Sequence, residues 1–240
     1  MPSCNDENGT SGLSPRQAAL VAGITYLLNP VTFAEAYVMP RLISADPVET
    51  LRNLTAHPHL FSAAVLSYVV SAVGDVVMAW ALYVLLRPID RALAMLGSVL
   101  QLVYAAAWLS ALSNLGLIYR LVAVPAYARH TSTGGLPTQI AELLGAYHSG
   151  WGLSLVLFGL HLVVTGWLIA QSFYLPRWIG WLLFLAGWAW VVDSVALYFV
   201  PEPHLSFLKV IFAAELIFMV WLLGWGWRIT EPSIVAKERQ

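Results

Sequence analysis

An all-α, polytopic transmembrane helical bundle with six membrane-spanning helices is predicted by three observations. Six stretches of mostly apolar residues fill most of the 240-residue chain, and only 10% of its residues are charged. The mean hydropathy is +0.73. A hydrocarbon core of about 30 Å needs about twenty helical residues to cross it, and each stretch is long enough.

The first helix is predicted from about Ala18 to Met39, interrupted by Pro30 and closed by Pro40, since a proline has no N–H to return to the preceding turn. The second runs from about Leu60 to Leu86 and stops before Pro88. The third covers Ala92 to Leu117, followed by a polar loop with Thr131-Ser132-Thr133-Gly134-Gly135 as its flexible tip. The fourth spans Glu142 to Ala170. After a turn at Pro176-Arg177, the fifth covers Trp178 to Phe199. Pro201-Glu202-Pro203 breaks the chain again, and the sixth runs from Leu205 to Trp225. Trp151, Trp178, Trp225 and Trp227 lie near predicted ends, as an interfacial aromatic belt would place them. This divides the chain into a polar, disordered N-terminus (1–15), a transmembrane domain (16–228) and a cytoplasmic tail (229–240). The first fifteen residues lack the charged-then-apolar order of a signal peptide.

Net charge of −1 leaves no basic face to neutralise phosphates, so no nucleic-acid partner is expected. Cys4 is the single cysteine, which excludes an internal disulfide and a thiolate metal site. No nucleotide loop, metal motif or nucleophile motif is present, and neither cofactor nor metal is expected. Haem ligation by His148 and His161 would need facing histidines inside another helix, and none has one. Six crossings put both termini on one side, with seven lysines and arginines against five on the other. The positive-inside rule then places the termini in the cytoplasm.

An ionisable side chain at the centre of a spanning helix costs about 2.5–3.5 kcal/mol on insertion scales. Glu35, Asp75, His161, Asp193 and Glu215 therefore mark a candidate chamber reaching from the outer surface to mid-membrane. Ser71 shares a face with Asp75. Gln101 and Tyr104 lie on a stripe of the third helix that runs from Gly97 to Trp108. Ser154 and Thr165 lie with His161 on a stripe of the fourth. Gly145, Gly152, Gly159 and Gly166 recur every seven residues along the opposite side of that helix, a seam suited to close packing. A hydrogen-bonded relay of Asp75, His161 and Asp193 is expected, with Glu215 nearer the entrance.

Phe158-Gly159-Leu160-His161-Leu162, then Gly166 and Leu168, Pro176-Arg177, Ile179-Gly180, and Ala186-Gly187 before Asp193-Ser194 form a recognisable series. Together with Leu82-Tyr83 and Leu86-Arg87-Pro88, it resembles the domain-of-unknown-function 4386 family of small, mostly bacterial, multi-pass membrane proteins. The likeness extends over residues 16–228. It implies a membrane bundle and a bacterial origin, and it implies no activity. Relatives commonly carry an arginine and an acid in the third helix where this chain has Gln101 and Tyr104. Any role shared by that pair is implied to be lost or altered here.

Three functions fit these residues. The first is an inner-membrane protein whose chamber binds membrane lipid or a small hydrophobic ligand. The second is an intramembrane enzyme in which a buried carboxylic acid protonates an alkene or epoxide, with Trp188, Trp190 and Tyr198 facing the cation formed. The third is a proton- or ion-coupled transporter, for which Pro30 supplies an interrupted helix.

Overall fold

The computed structural model describes residues 13–29, 33–124, 135–199 and 213–229. These residues are helical wherever they are regular, with no strand among them. Helix α1 spans Pro15–Leu27. A π-helical turn, Ala34–Val38, runs into α2, Met39–Leu42. Then come α3 (Pro47–Ala56), α4 (Pro58–Leu86), α5 (Arg91–Ala123), α6 (Gly135–Gln171), α7 (Arg177–Phe199) and α8 (Ala213–Trp225), which ends in the 3₁₀ turn Gly226–Arg228. Four of these, α4 to α7, are long and apolar enough to cross a membrane.

The helix starts are built from local chemistry. Ser14 accepts the Gln17 N–H while the Gln17 side chain takes the Ser14 N–H, a reciprocal pair followed by Pro15 in the first turn. Asp90 accepts from the Ala92 and Leu93 amides at 2.8 and 3.0 Å, which starts α5 squarely after the Pro88 turn. The unforeseen helix α3 has the same logic: the Asp46 carboxylate accepts the Val48 N–H at 2.9 Å, with Pro47 next in line. It buries Thr50 and Leu54 and leaves its polar face outside.

Several expected boundaries are corrected. The first helix is not continuous from Ala18 to Met39: α1 stops at Leu27, and Pro40 sits inside the first turn of α2 rather than closing a helix. The wider π-turn just upstream offers an account of this, because a proline ring crowds the carbonyl four residues earlier and contributes no N–H. Helix α5 continues past Leu117 to Ala123, and α6 begins at Gly135 instead of Glu142. At 33 and 37 residues they reach roughly 50–55 Å, well beyond a hydrocarbon core. Polar residues such as Arg120 and Glu142 end the apolar stretch without ending the helix. The tip at 131–134, Pro30, Pro201-Glu202-Pro203 and the start of the sixth helix lie outside the described residues.

Sequence neighbours pack side by side, α1 on α4, α4 on α5, α5 on α6, α6 on α7 and α7 on α8, and α8 returns to α1. The six helices thus form a closed ring. Small residues set its tightest seams. On α1, Ala18, Ala19, Ala22 and Gly23 are buried, and a Cβ at Gly23 would touch Leu223 of α8 at 3.0 Å. Between α6 and α7 the fit is closer still. A Cβ at Gly159 would lie 2.6 Å from the Gly187 carbonyl, and one at Gly166 would lie 2.4 Å from the Phe184 nitrogen. Gly187 and Gly180 answer in kind, 2.5 Å from the Gly159 carbonyl and 2.7 Å from that of Gly166. Gly145 has nothing within 4 Å and takes no part. The turn between α6 and α7 is held by the Ser172 hydroxyl, which accepts the Tyr174 and Leu175 amides. The Tyr174 phenol donates to the Leu85 carbonyl of α4, and burial pushes that phenol's pKa up. Outward-facing positions such as Leu66, Val73, Leu102, Leu153 and Val192 are exposed and apolar, the surface a lipid solvent requires.

Candidate functional site: an acid- and aromatic-lined chamber

The glycine seam and the polar stripe of α6 point to opposite neighbours. Gly159 and Gly166 meet α7, whereas His161 reaches α5, where its Nδ1 donates to the Gly97 carbonyl at 2.8 Å. A carbonyl only accepts, so that bond fixes the proton on Nδ1. Nε2 then lies 3.5 Å from the Thr165 hydroxyl. A Cβ at Gly97 would make ordinary contact with Val164 at 3.4 Å and with the His161 ring at 3.9 Å.

One turn along α5, Gln101 faces the opposite wall. Its Nε2 donates to Asp75 Oδ1 at 3.2 Å, while its buried Oε1 has no hydrogen-bond partner. Asp75 lies within electrostatic reach of Glu215 on α8, which accepts from the Trp190 indole at 2.8 Å. Glu35, in the π-turn, accepts from the Tyr68 hydroxyl at 2.6 Å and the Tyr147 hydroxyl at 3.5 Å. These acids enclose a cavity of about 430 Å³ at the centre of the ring. Much of its remaining wall is aromatic, with Met78, Leu155 and Met219 among the other lining residues. Tyr104 stacks on Trp108 at 6.0 Å and leans on Phe158 at 5.1 Å, and Phe158 meets Trp190 edge-on at 5.9 Å.

Two further hollows share lining residues with the cavity. Thr25 and Asn29 also border a hollow of about 270 Å³ beside Val70, Val73 and Val77 of α4, on the apolar exterior. Glu35 also borders a hollow of about 150 Å³ with Met39, Pro40 and His148. That hollow shares Ile43 and Leu144 with another at the α3 end of the bundle.

Of the ten residues singled out in the sequence, Asp75, Glu35, Glu215, Gln101 and Tyr104 line this cavity. His161, Asp193, Ser71, Ser154 and Thr165 do not. The expected relay is corrected: Asp75 bonds Gln101 and His161 bonds a backbone carbonyl, while Asp193 is half-buried on α7 and stands apart from the lining. Ser71 and Ser154 return their hydroxyls to Ser67 and Trp151 carbonyls of their own helices, at 2.9 and 2.7 Å, as short hydroxyl side chains in helices commonly do. The acid at the junction with a second hollow is Glu35 rather than Glu215. Trp151 is not a belt residue; it sits in the middle of α6, stacks on Tyr147 at 6.0 Å and lines the cavity. Trp188 and Tyr198 face outward, each 47% exposed, so Trp190 is the one aromatic of that trio at the cavity. Thr25, Tyr26 and Asn29 were missed. The break before Pro30, which strips α1 of its last turn beside these polar side chains, was their signal.

The sequence profile described as Domain of unknown function (DUF4386) matches residues 21–226. An uncharacterised protein of Archaeoglobus fulgidus is 30% identical over 157 residues, which cover 65% of this chain and 80% of that protein. No solved structure matches. The chain belongs to the DUF4386 family.

Proposed function

We propose that this DUF4386 protein holds a lipid or a small, largely apolar ligand in its central chamber. The observation that carries this reading is the chamber's mixed chemistry: a hollow of about 430 Å³, walled by aromatic rings and three carboxylates, inside an otherwise apolar bundle. Helix cores are packed as densely as organic crystals, and acids at membrane depth are costly, so stability alone calls for neither feature. The hollow beside Val73 supports entry from the lipid side, and the series of hollows through Glu35 supports a second route from the helix ends. In this reading α1 and α8 belong to the first and sixth crossings of a bacterial inner membrane, with both termini cytoplasmic.

Mass spectrometry of what leaves the purified protein on denaturation tests this. One class of bound molecule is expected, and it should be lost when Leu155→Trp fills the chamber. The same lipid mixture from wild type and variant would contradict it, and a chemically altered product would mark an enzyme instead. One observation favours a second reading, proton- or ion-coupled transport. Glu35 stands in a π-turn where two hollows meet, and such single-turn widenings recur at functional sites.

A further inference from the structure

The three carboxylates of the chamber face no basic residue: among the described residues, no lysine, arginine or histidine lines it. Glu35 is set apart at one end between two phenols. Asp75 and Glu215 both line the cavity within electrostatic reach of each other, and among the described residues each accepts from one neutral donor, the Gln101 amide and the Trp190 indole. A carboxylate has about four acceptor positions, so most of this capacity is left over. A further acceptor lies beside them. Gln101 is 2% exposed, lines the cavity, and its amide oxygen has no partner among the described residues. Acceptors therefore predominate in a space also lined by aromatic rings, and a bound cation is what would hold both acids ionised. The acids are also spread out, since among the described residues no three His, Cys, Asp or Glu side chains come close enough to hold a metal ion.

We infer that the ligand of this chamber is an organic cation, a positive centre bearing apolar substituents, held between Asp75 and Glu215 and faced by Tyr104, Trp151 and Trp190. This rests on the reading of the chamber as a ligand site and adds the ligand's charge. The Tyr104 phenol lies within electrostatic reach of both carboxylates, which puts an aromatic residue beside the two acids. Apolar substituents then fill the space beside Met78, Leu155 and Met219. A neutral lipid would leave both acids unmatched, and an anion would be repelled by them.

Equilibrium dialysis of the full chain in neutral detergent, with tetraphenylphosphonium, neutral triphenylphosphine oxide and tetraphenylborate as probes, separates the possibilities. Saturable phosphonium binding at one site is expected, about tenfold or more tighter than either other probe. Asp75→Asn and Glu215→Gln should each weaken it by about tenfold. If a variant fails to fold, the three probes on wild type still decide. Equal affinity for phosphonium and oxide, with both lost in Leu155→Trp, would overturn the cation and leave the chamber standing. Absence of saturable binding by all three probes would overturn both.

Discussion

Glu35 and His161 are both ionisable groups inside apolar helices, yet their surroundings assign them different work. Glu35 borders the chamber and is held by the Tyr68 phenol, whereas His161 is enclosed between α5 and α6 and held by the Gly97 carbonyl. Tyr68→Phe removes one hydrogen bond to a half-buried acid, and a loss of about 1–2 kcal/mol is expected. Thermal unfolding in detergent reads it, with exposed Tyr37→Phe as the unchanged control. His161→Ala should lower stability by a similar amount, about 1–3 kcal/mol, while leaving phosphonium binding unchanged. A binding loss at His161 would mean that the imidazole reaches the ligand. Charged residues in apolar stretches were legible in the sequence because their cost demands a reason. Which hydroxyls join them was not. A serine in a helix has its own backbone as an alternative partner, and Ser71 and Ser154 took it.

Helix α6 carries the ring's two chemistries on opposite faces, and its sequence period revealed this. What the period could not reveal was the partner. The answering pair Gly180 and Gly187 of α7 has the same seven-residue spacing in antiparallel register. The spacing also overstated the seam, because Gly145 shares the period and packs against nothing within 4 Å. Substitution separates the two cases. Gly166→Ala places a methyl 2.4 Å from the Phe184 backbone nitrogen, which neither helix can yield, and a loss of about 1–3 kcal/mol or more is expected. Gly145→Ala should raise stability by about 0.5–1 kcal/mol, the usual difference between these residues in a helix interior. Similar losses at both positions, in the same unfolding measurement, would contradict the assignment of the seam. Element ends were harder to read, since capping decides where a helix starts and hydropathy decides only where the apolar part does. Asp46-Pro47, the start of α3, was a cap signal without an apolar run behind it.

At the scale of the molecule, six helices closed into a ring leave a polar interior inside an apolar exterior. The proposed six-crossing arrangement makes a separate forecast. Reporter fusions after Gln240 and within residues 131–134 should give opposite-side signals, and matching signals would mean a different number of crossings. The all-helical class with membrane-length helices was readable from apolar length, though four helices rather than six reach that length among the described residues. Closure of the ring was not, because it depends on α8 meeting α1 through small residues far apart in the chain. The chamber itself is tested most directly by cysteine accessibility. With Cys4 changed to serine, the chain has no other thiol. Leu155 lines the cavity, while Leu153, 61% exposed, lies at nearly the same depth on the outer face of α6. A small water-soluble thiol reagent should modify Leu155→Cys and spare Leu153→Cys in membrane vesicles. A Leu155→Cys as unreactive as Leu153→Cys would contradict a polar chamber within the bundle.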